Sequence, residues 1–312
     1  MKGRLPRLPG GRLLGVLALC VSLGYLAVMA ARHASSFPEV AWSPRAVASL
    51  AGAMGLYLVM VLTGAAAWLL LLRSTGAAAS PAAVLAIWGQ AQAGKYLPGN
   101  VGQYLGRAAL ARRHGIPLHQ SALTVVFETT SLIVTAAAFA LLAPWRTAPW
   151  KIVLLAAGAL AAPLLLIHAL ERWFPETLRR RLGTARLPRL SLMALGGTMA
   201  LYAAGFACWG LSFELLARGL FGAGSDISWV RVIPAFALSW VAGFVTPGAP
   251  AGLGVREALL VGGTAPLYGP GTALSAALAL RLVTVLGDGL AFLAGSALAR
   301  GAGPPPEAPG PR

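Results

Sequence analysis

Long apolar runs separated by short polar stretches dominate the chain. A helix needs about 20 consecutive apolar residues to cross a bilayer core of about 30 Å. Six runs meet that length, and they cover residues 13–31, 46–72, 120–142, 151–170, 190–217 and 272–299. The pattern therefore predicts an all-α polytopic membrane protein with six full transmembrane spans.

Two further apolar stretches, residues 81–113 and 229–265, are each interrupted by a Pro-Gly pair. Proline removes a backbone donor and glycine adds backbone freedom, so the pair ends a helix at that point. Each remaining arm has about 12–18 residues, or about 18–27 Å of helix, which is short for a bilayer core. We therefore expect re-entrant hairpins, with eight full spans as the alternative. Their tips would be Pro98, Gly99, Pro247 and Gly248.

The distribution of basic residues supports this topology. With a cytoplasmic N-terminus and two hairpins, 15 of the 25 basic residues fall on the cytoplasmic side and 6 on the outer side. That excess follows the positive-inside rule. Eight full spans would instead place the arginine cluster at 172–189 outside. We predict a multi-pass protein of a bacterial or archaeal inner membrane, with both termini in the cytoplasm.

The two halves of the chain have the same order of elements: span, span, hairpin, span. Three crossings in each half would invert the second half relative to the first, as in transporters built from inverted repeats with broken helices at the midplane. We expect one domain over residues 1–300, with pseudo-repeats at about 10–145 and 150–300. Residues 301–312 carry five prolines and predict a disordered tail.

Composition and charge exclude several classes of function. Hydrophobic residues make up 57% of the chain, charged residues 11%, and the mean hydropathy is +0.73, whereas a soluble domain has about 25% charged residues. The net charge of +16 comes from loops between apolar runs and not from a basic surface that would bind nucleic acid. The two cysteines and four histidines lack ligand spacing, so we expect no metal and no cofactor. No catalytic set of side chains stands out, so we expect no enzyme activity.

Each broken stretch also carries an arginine nine residues after its proline, Arg107 in the first and Arg256 in the second. The helix that follows a midplane tip directs free N–H groups and a positive dipole end at the middle of the membrane, which attracts anions. Nine residues further, about 13 Å along the helix, Arg107 would reach the inner headgroups and Arg256 the outer ones. Lys95 would lie deeper. These cations predict binding of a lipid headgroup; the alternative is that the arginines snorkel to the interface as topology anchors.

Three carboxylates lie within apolar segments, where ionisable groups are functional candidates by default. They are Glu128 in the third span, Asp288 in the last span, and Glu257 directly after Arg256. Each is a candidate proton carrier, and each is equally a candidate for a permanent ion pair. We expect Glu257 to be either the local partner of Arg256 or a proton acceptor.

Arg281 is a further intramembrane cation in the last span. It precedes Asp288 by seven residues, which places both on one helix face, about 10 Å apart along the axis. We expect Arg281, or Lys95, to be a charge partner of Glu128 or Asp288.

These motifs resemble the lysylphosphatidylglycerol synthetase transmembrane-region family, whose members are also described as flippase-like. The resemblance covers about residues 10–300 and rests on two motifs in order, at residues 94–107 and 246–257, with a glutamate in the span between them. It implies a membrane region that moves lipid between leaflets. The soluble synthetase domain of the best understood members has no counterpart here, so lysyl transfer is not expected. The residues that the resemblance implies are Lys95, Arg107, Glu128, Arg256 and Glu257.

The resemblance and the intramembrane charges together predict a protein that moves an anionic phospholipid or a lipid-linked precursor between leaflets. Its expected partners are membrane lipids, and a homo-oligomer or a separate lipid-modifying enzyme are further candidates. The alternatives are a small-solute carrier and a membrane subunit or regulator of such an enzyme. The sequence has no ATP-binding motif, so movement would be downhill or coupled to an ion gradient.

Overall fold

The structure, a computed structural model, describes residues 42–96, 102–141, 191–224, 229–246 and 250–301, with isolated positions at 24, 28, 31, 38, 40 and 165. The predictions for spans 13–31 and 151–170, for the tips Pro98, Gly99, Pro247 and Gly248, and for the tail lie outside these residues. The described residues form helices and no strand. The elements are α1 (Pro44–Ser74), α2 (Pro81–Ala91), a 3-10 turn (Gln92–Tyr96), α3 (Gly102–Arg113), α4 (Leu118–Leu141), α5 (Leu192–Phe221), a 3-10 turn (Trp229–Arg231), α6 (Val232–Val245), a 3-10 turn (Pro250–Gly252), α7 (Val255–Tyr268) and α8 (Pro270–Gly301).

Four of these helices, α1, α4, α5 and α8, are long and apolar enough to cross a membrane. They have 31, 24, 30 and 32 residues. At 1.5 Å per residue these helices are about 36–48 Å long, more than a bilayer core requires. They coincide with four of the predicted spans, which confirms a helical membrane protein. Those spans are 46–72, 120–142, 190–217 and 272–299.

Each broken stretch forms two short helices, one on either side of its Pro-Gly pair. The arms α2 and α3 have 11 and 12 residues, and α6 and α7 have 14 each. Helices of that length are about 17–21 Å long, too short to cross a bilayer core alone. Within each stretch the two arms pack against each other. The predicted interruption of both apolar stretches is therefore confirmed.

Two helices begin at the same dipeptide, Ser43-Pro44 for α1 and Ser80-Pro81 for α2. The Oγ of each serine accepts a hydrogen bond from the backbone N–H three residues later, at 3.2 Å. Proline suits the first helical position because the N–H that it lacks would have no partner there. These caps set where both helices start, and so fix which of their side chains face the interior.

The helices α2 and α8 pack closely because glycine lies at their contact. A Cβ on Gly89 would collide with the carbonyl oxygen of Ala291, and a Cβ on Gly295 would lie 2.8 Å from the carbonyl oxygen of Ala86. Gln90 Nε2 also donates to the carbonyl of Gly295 at 3.3 Å. In a membrane, where lipid is as apolar as leucine, close backbone approach of this kind stabilises helix pairs. It holds α8 against the first broken stretch.

Helix α8 connects the two broken stretches. It packs against α2 and residues 92–96 from the first stretch, and against α7 from the second. Tyr96, Ala251 and Val285 form one buried cluster. Residues 92–96 of the first stretch and 250–252 of the second therefore lie close to each other, beside the middle of α8.

Candidate functional site

A cavity of about 160 Å³ lies between the two broken stretches and helices α1, α4 and α5. Lys95 and Arg107 from the first stretch line it, together with Glu128 from α4 and Arg256 from the second stretch. This corrects the expectation that the two arginines lie at opposite headgroup layers, because both line one cavity. Arg107 contacts Glu128 of α4, and Arg256 contacts Trp240 of α6, so each side chain meets a neighbouring helix.

Arg107 forms a bidentate ion pair with Glu128. Its Nη1 donates to Oε2 at 2.6 Å and its Nη2 donates to Oε1 at 3.0 Å. Both residues are 3% exposed. The planar fork of a guanidinium matches a carboxylate in this geometry, so each charge neutralises the other. The pair joins α3 to α4, which are connected by a four-residue turn.

Three aromatic rings surround the guanidinium of Arg107. Its Cζ lies 5.1 Å from the ring centroid of Trp68, 4.5 Å from that of Trp88 and 5.1 Å from that of Tyr104. Trp68 is itself fixed, because its Nε1 donates to Thr124 Oγ1 at 3.0 Å. Cation–π contacts and the ion pair together give Arg107 a complete set of partners. A buried arginine held in this way does not fit the alternative of an interfacial anchor.

Lys95 pairs with Asp288 of α8. Its Nζ donates to Oδ1 at 2.6 Å, and Tyr57 donates to the same oxygen. Tyr96 donates to Oδ2 at 2.6 Å. Asp288 is only 2% exposed. The predicted pairing of Lys95 with an intramembrane carboxylate is confirmed.

Sequence reasoning missed Tyr57, which reaches Asp288 because α8 has a glycine at position 287. A Cβ on Gly287 would collide with the Tyr57 ring. A buried phenol normally has a hydrogen-bond partner, so a tyrosine in the middle of an apolar span was a usable signal. Trp88 and Trp240 gave no such signal, because aromatic residues in apolar helices resemble ordinary packing.

Arg281 pairs with Glu257, which excludes one of the two alternatives stated for each of these residues. Its Nε lies 3.4 Å from Oε1 of Glu257, and its Nη2 donates to the carbonyl of Ala251 at 3.1 Å. Oε2 of Glu257 accepts from the backbone N–H of Gly254 at 2.7 Å, which caps the start of α7. In the described residues Glu257 is therefore the partner of Arg281 and not of Arg256. Consecutive helical residues point about 100° apart, so the neighbouring side chains diverge.

Arg256 differs from the other three cations. Its guanidinium lies 5.5 Å from the ring centroid of Trp240, and among the described residues it has no carboxylate within 4.0 Å. Its Nε, like that of Arg281, is a buried donor without a hydrogen-bond acceptor among the described residues. Two glycines make room for the side chain. A Cβ on Gly252, whose φ is +71°, would lie 2.8 Å from Nε, and a Cβ on Gly243 would collide with Cγ.

Among the described residues of the site, the positive charges outnumber the negative charges by one. Lys95, Arg107 and Arg281 each face a carboxylate, and Arg256 does not. A charge in a low-dielectric site is costly when it is not compensated. The cavity therefore attracts a negatively charged group.

The fold and the site together define an integral membrane protein of apolar helices, with a cationic cavity where two broken stretches meet. The chain belongs to the family described as the lysylphosphatidylglycerol synthase TM region, whose model matches residues 15–291. The match confirms the resemblance and includes both broken stretches and every site residue named above. A comparison with curated proteins found no match.

Proposed function

We propose that this protein moves an anionic phospholipid, or an anionic lipid-linked precursor, between the two leaflets of its membrane. The observation that carries the proposal is the cavity shared by cations of both broken stretches. Its excess positive charge favours an anionic headgroup over a neutral one. Membership of a family defined on the membrane region of a lipid synthase supports a lipid as the substrate.

The size of the cavity supports a path for the headgroup alone. One water needs about 10–15 Å³ of such space, so a cavity of about 160 Å³ holds roughly ten waters. That volume suits the polar atoms of a headgroup and is too small for two acyl chains. In the proposed movement the headgroup passes through the protein while the acyl chains stay in the surrounding lipid.

The proposed architecture is one domain of six full spans and two re-entrant hairpins, arranged as inverted repeats at about 10–145 and 150–300. The short arms that pack against each other support hairpins. The buried cluster of Tyr96, Ala251 and Val285, which joins one described residue beside each break to the middle of α8, supports a site at the midplane. The distribution of basic residues supports cytoplasmic termini in a bacterial or archaeal inner membrane, and residues 301–312 remain a proposed disordered tail.

The proposed movement is downhill and involves no lysyl transfer. Each candidate proton carrier is already held in an ion pair: Glu128 by Arg107, Asp288 by Lys95, and Glu257 by Arg281. Buried pairs of this kind keep a carboxylate charged and in place. Translocation that depends steeply on a proton gradient, and loses that dependence when the three carboxylates are neutralised, would contradict this assignment.

A leaflet-resolved assay tests the proposal. Purified protein is reconstituted into liposomes that contain a fluorescent anionic or zwitterionic phospholipid, and a membrane-impermeant reductant then bleaches the outer leaflet. We expect the wild type to expose the anionic lipid of the inner leaflet, and Arg256→Ala to abolish this. Arg300→Gln is the matched control, because Arg300 is an exposed cation near the end of α8 and lines neither described cavity.

Two results would contradict lipid translocation. One is a folded wild type that moves no anionic lipid faster than empty liposomes do. The other is inhibition by soluble anions without any dependence on the lipid headgroup, which would support a small-solute carrier instead.

A further inference from the structure

The cations of the site can be matched to carboxylates one by one. Lys95 and Asp288 are 2.6 Å apart, Arg107 and Glu128 are 2.6 Å apart, and Arg281 and Glu257 are 3.4 Å apart. In each pair the carboxylate is no more than 5% exposed, so solvent does not take the place of the partner. Glu214, the remaining buried carboxylate of the described residues, pairs with Arg218 and lines neither cavity, so the described part of the site has no carboxylate for a fourth cation.

Arg256 is that fourth cation, and it lies between two cavities. It lines the cavity of about 160 Å³ and also a smaller one of about 30 Å³ beside Arg281. The residues that line the second cavity together with Arg256 include Ala277 of α8. The first broken stretch shows what an acidic side chain on the next helix does. Glu128 follows Arg107 by 21 residues and pairs with it, whereas the residue 21 positions after Arg256 is Ala277.

The site lacks one negative charge, and lipid headgroups differ in how well they would supply it. A phosphodiester with a neutral substituent carries one negative charge and would balance the site. A zwitterionic headgroup has no net charge and would bring a cation toward Arg256. A phosphomonoester carries about −1.5 to −2 at neutral pH and would leave an excess of negative charge.

We propose that the translocation site selects a headgroup with a net charge of −1, carried on a phosphodiester, and that Arg256 is the residue that binds this group. The selection rests on the proposed lipid function and specifies its substrate class. In this assignment Lys95, Arg107 and Arg281 are positioning residues, since each is neutralised within the protein. Ala277 is then a specificity determinant, because its small side chain leaves Arg256 for the ligand.

Binding of lipids that share the same acyl chains tests the charge rule without requiring transport. Native mass spectrometry of the purified full chain counts bound phosphatidylglycerol, phosphatidylethanolamine and phosphatidic acid, whose headgroups differ in net charge. We expect the wild type to bind phosphatidylglycerol about tenfold or more tightly than the other two, the size of effect that a hydrogen bond to a charged group gives. Equal binding of phosphatidylglycerol and either other lipid would overturn the proposal.

A matched pair of substitutions at Ala277 tests the role of the missing carboxylate. Ala277→Glu supplies a negative charge beside Arg256, and Ala277→Gln adds a side chain of the same size without the charge. We expect Ala277→Glu to lose the preference for phosphatidylglycerol and Ala277→Gln to retain it. Loss of the preference in both variants, or in neither, would contradict the charge argument, provided that size-exclusion profiles and circular dichroism match the wild type.

Arg256→Gln gives a second readout that does not depend on packing at position 277. We expect it to bind all three lipids with the weak affinity that the wild type has for phosphatidylethanolamine. Retained preference would overturn the assignment of Arg256. Arg300→Gln removes an exposed cation outside the cavities, and it should bind phosphatidylglycerol as the wild type does.

A soluble diester distinguishes the source of the phosphodiester. Glycerophosphoglycerol has the same headgroup chemistry as phosphatidylglycerol but no acyl chains, and inorganic phosphate lacks the diester. We expect both to compete weakly. Competition by glycerophosphoglycerol as strong as that by the lipid would preserve the charge rule and overturn a lipid source.

These results separate the two proposals. Selective binding of phosphatidylglycerol without translocation would keep the charge rule and reject lipid movement. Translocation of anionic and zwitterionic lipids at equal rates would keep lipid movement and reject the charge rule.

Discussion

The two broken stretches share a sequence pattern, but their arginines differ in their partners. Arg107 has a carboxylate partner, and Arg256 has none among the described residues. Both arginines follow the proline of a Pro-Gly pair by nine residues. Arg107 is 3% exposed, shares two hydrogen bonds with Glu128 and lies among three aromatic rings. Arg256 contacts one aromatic ring, that of Trp240, and has no carboxylate partner among the described residues.

The difference shows that the arginine of one repeated motif has two different sets of contacts in one chain. In the first stretch Arg107 forms an ion pair with Glu128 of the next helix, and this pair links α3 to α4. In the second stretch the next helix, α8, contributes Ala277 and Arg281 to the small cavity that Arg256 lines. Arg281 forms an ion pair with Glu257. A repeated spacing therefore predicts the place of a cation, while the helix that packs against it decides whether a ligand can use that cation.

The largest expected effect is on stability, and it should be confined to the first stretch. Glu128→Leu leaves Arg107 buried without a counter-charge, and we expect the free energy of unfolding to fall by about 3–5 kcal/mol. Arg256→Leu removes a cation that has no counter-charge, so we expect no loss or a small gain. Chemical unfolding in detergent measures both. The double variant Arg107→Leu/Glu128→Leu is the control and should recover most of the loss, and equal losses for Glu128→Leu and Arg256→Leu would break the comparison.

A smaller loss is expected at the carboxylate that holds the break in the first stretch. Asp288→Asn weakens the contacts to Lys95, Tyr57 and Tyr96. Because the Lys95 side chain is 22% exposed and can find water, we expect a loss of about 2 kcal/mol in the free energy of unfolding. Thermal unfolding followed by circular dichroism gives the value. Tyr57→Phe removes only one of the three donors and should cost less; a larger cost than that of Asp288→Asn would contradict this order.

Replacing each arginine by lysine should sharpen the contrast. Lysine keeps the charge and loses the planar fork, so Arg107→Lys forfeits one hydrogen bond to Glu128 and the stacking, at a cost of about 1–2 kcal/mol in the free energy of unfolding. Arg256→Lys should leave stability unchanged and retain part of the translocation activity, since the charge remains. The leaflet-resolved assay and an unfolding curve on each variant test this. Equal stability of the two lysine variants would count against the pairing described for Arg107.

The smallest stability effect concerns the glycines beside the arginines. A Cβ at Gly243 would collide with the Arg256 side chain, whereas a Cβ at Gly106 would meet nothing within 4 Å. We expect Gly243→Ala to cost about 1 kcal/mol and to reduce translocation severely, because it displaces Arg256. Gly106→Ala is the matched control in the first stretch and should be neutral or slightly stabilising, since alanine is the better helix former. Wild-type translocation by Gly243→Ala would mean that the position of Arg256 is not critical.

Much of the fold could be predicted from the sequence because apolar run length is a strong signal. Four spans and both interruptions followed from run length and from the Pro-Gly pairs. The intramembrane charges were also recognisable as a set, since ionisable residues within apolar segments are rare and easy to find.

The pairing of those charges could not be predicted, because it depends on packing between distant segments. Lys95 and Asp288 are 193 residues apart in the chain, and their contact requires close packing of α2 on α8. Either Arg281 or Lys95 was expected to pair with Glu128 or Asp288; Lys95 does so, and Arg281 pairs with Glu257 of α7. The expected separation of Arg107 and Arg256 was also wrong, since helix geometry gives the distance along an axis and not the direction of a side chain.

The central claim is that Arg256, and not Arg107, meets the charge of the lipid headgroup. A ligand that binds only the folded state raises the melting temperature, so the shift caused by phosphatidylglycerol can be compared between Arg256→Gln and Arg107→Leu/Glu128→Leu. We predict that the double variant keeps the wild-type shift and that Arg256→Gln loses it. A shift that is lost in the double variant and kept in Arg256→Gln would contradict the account.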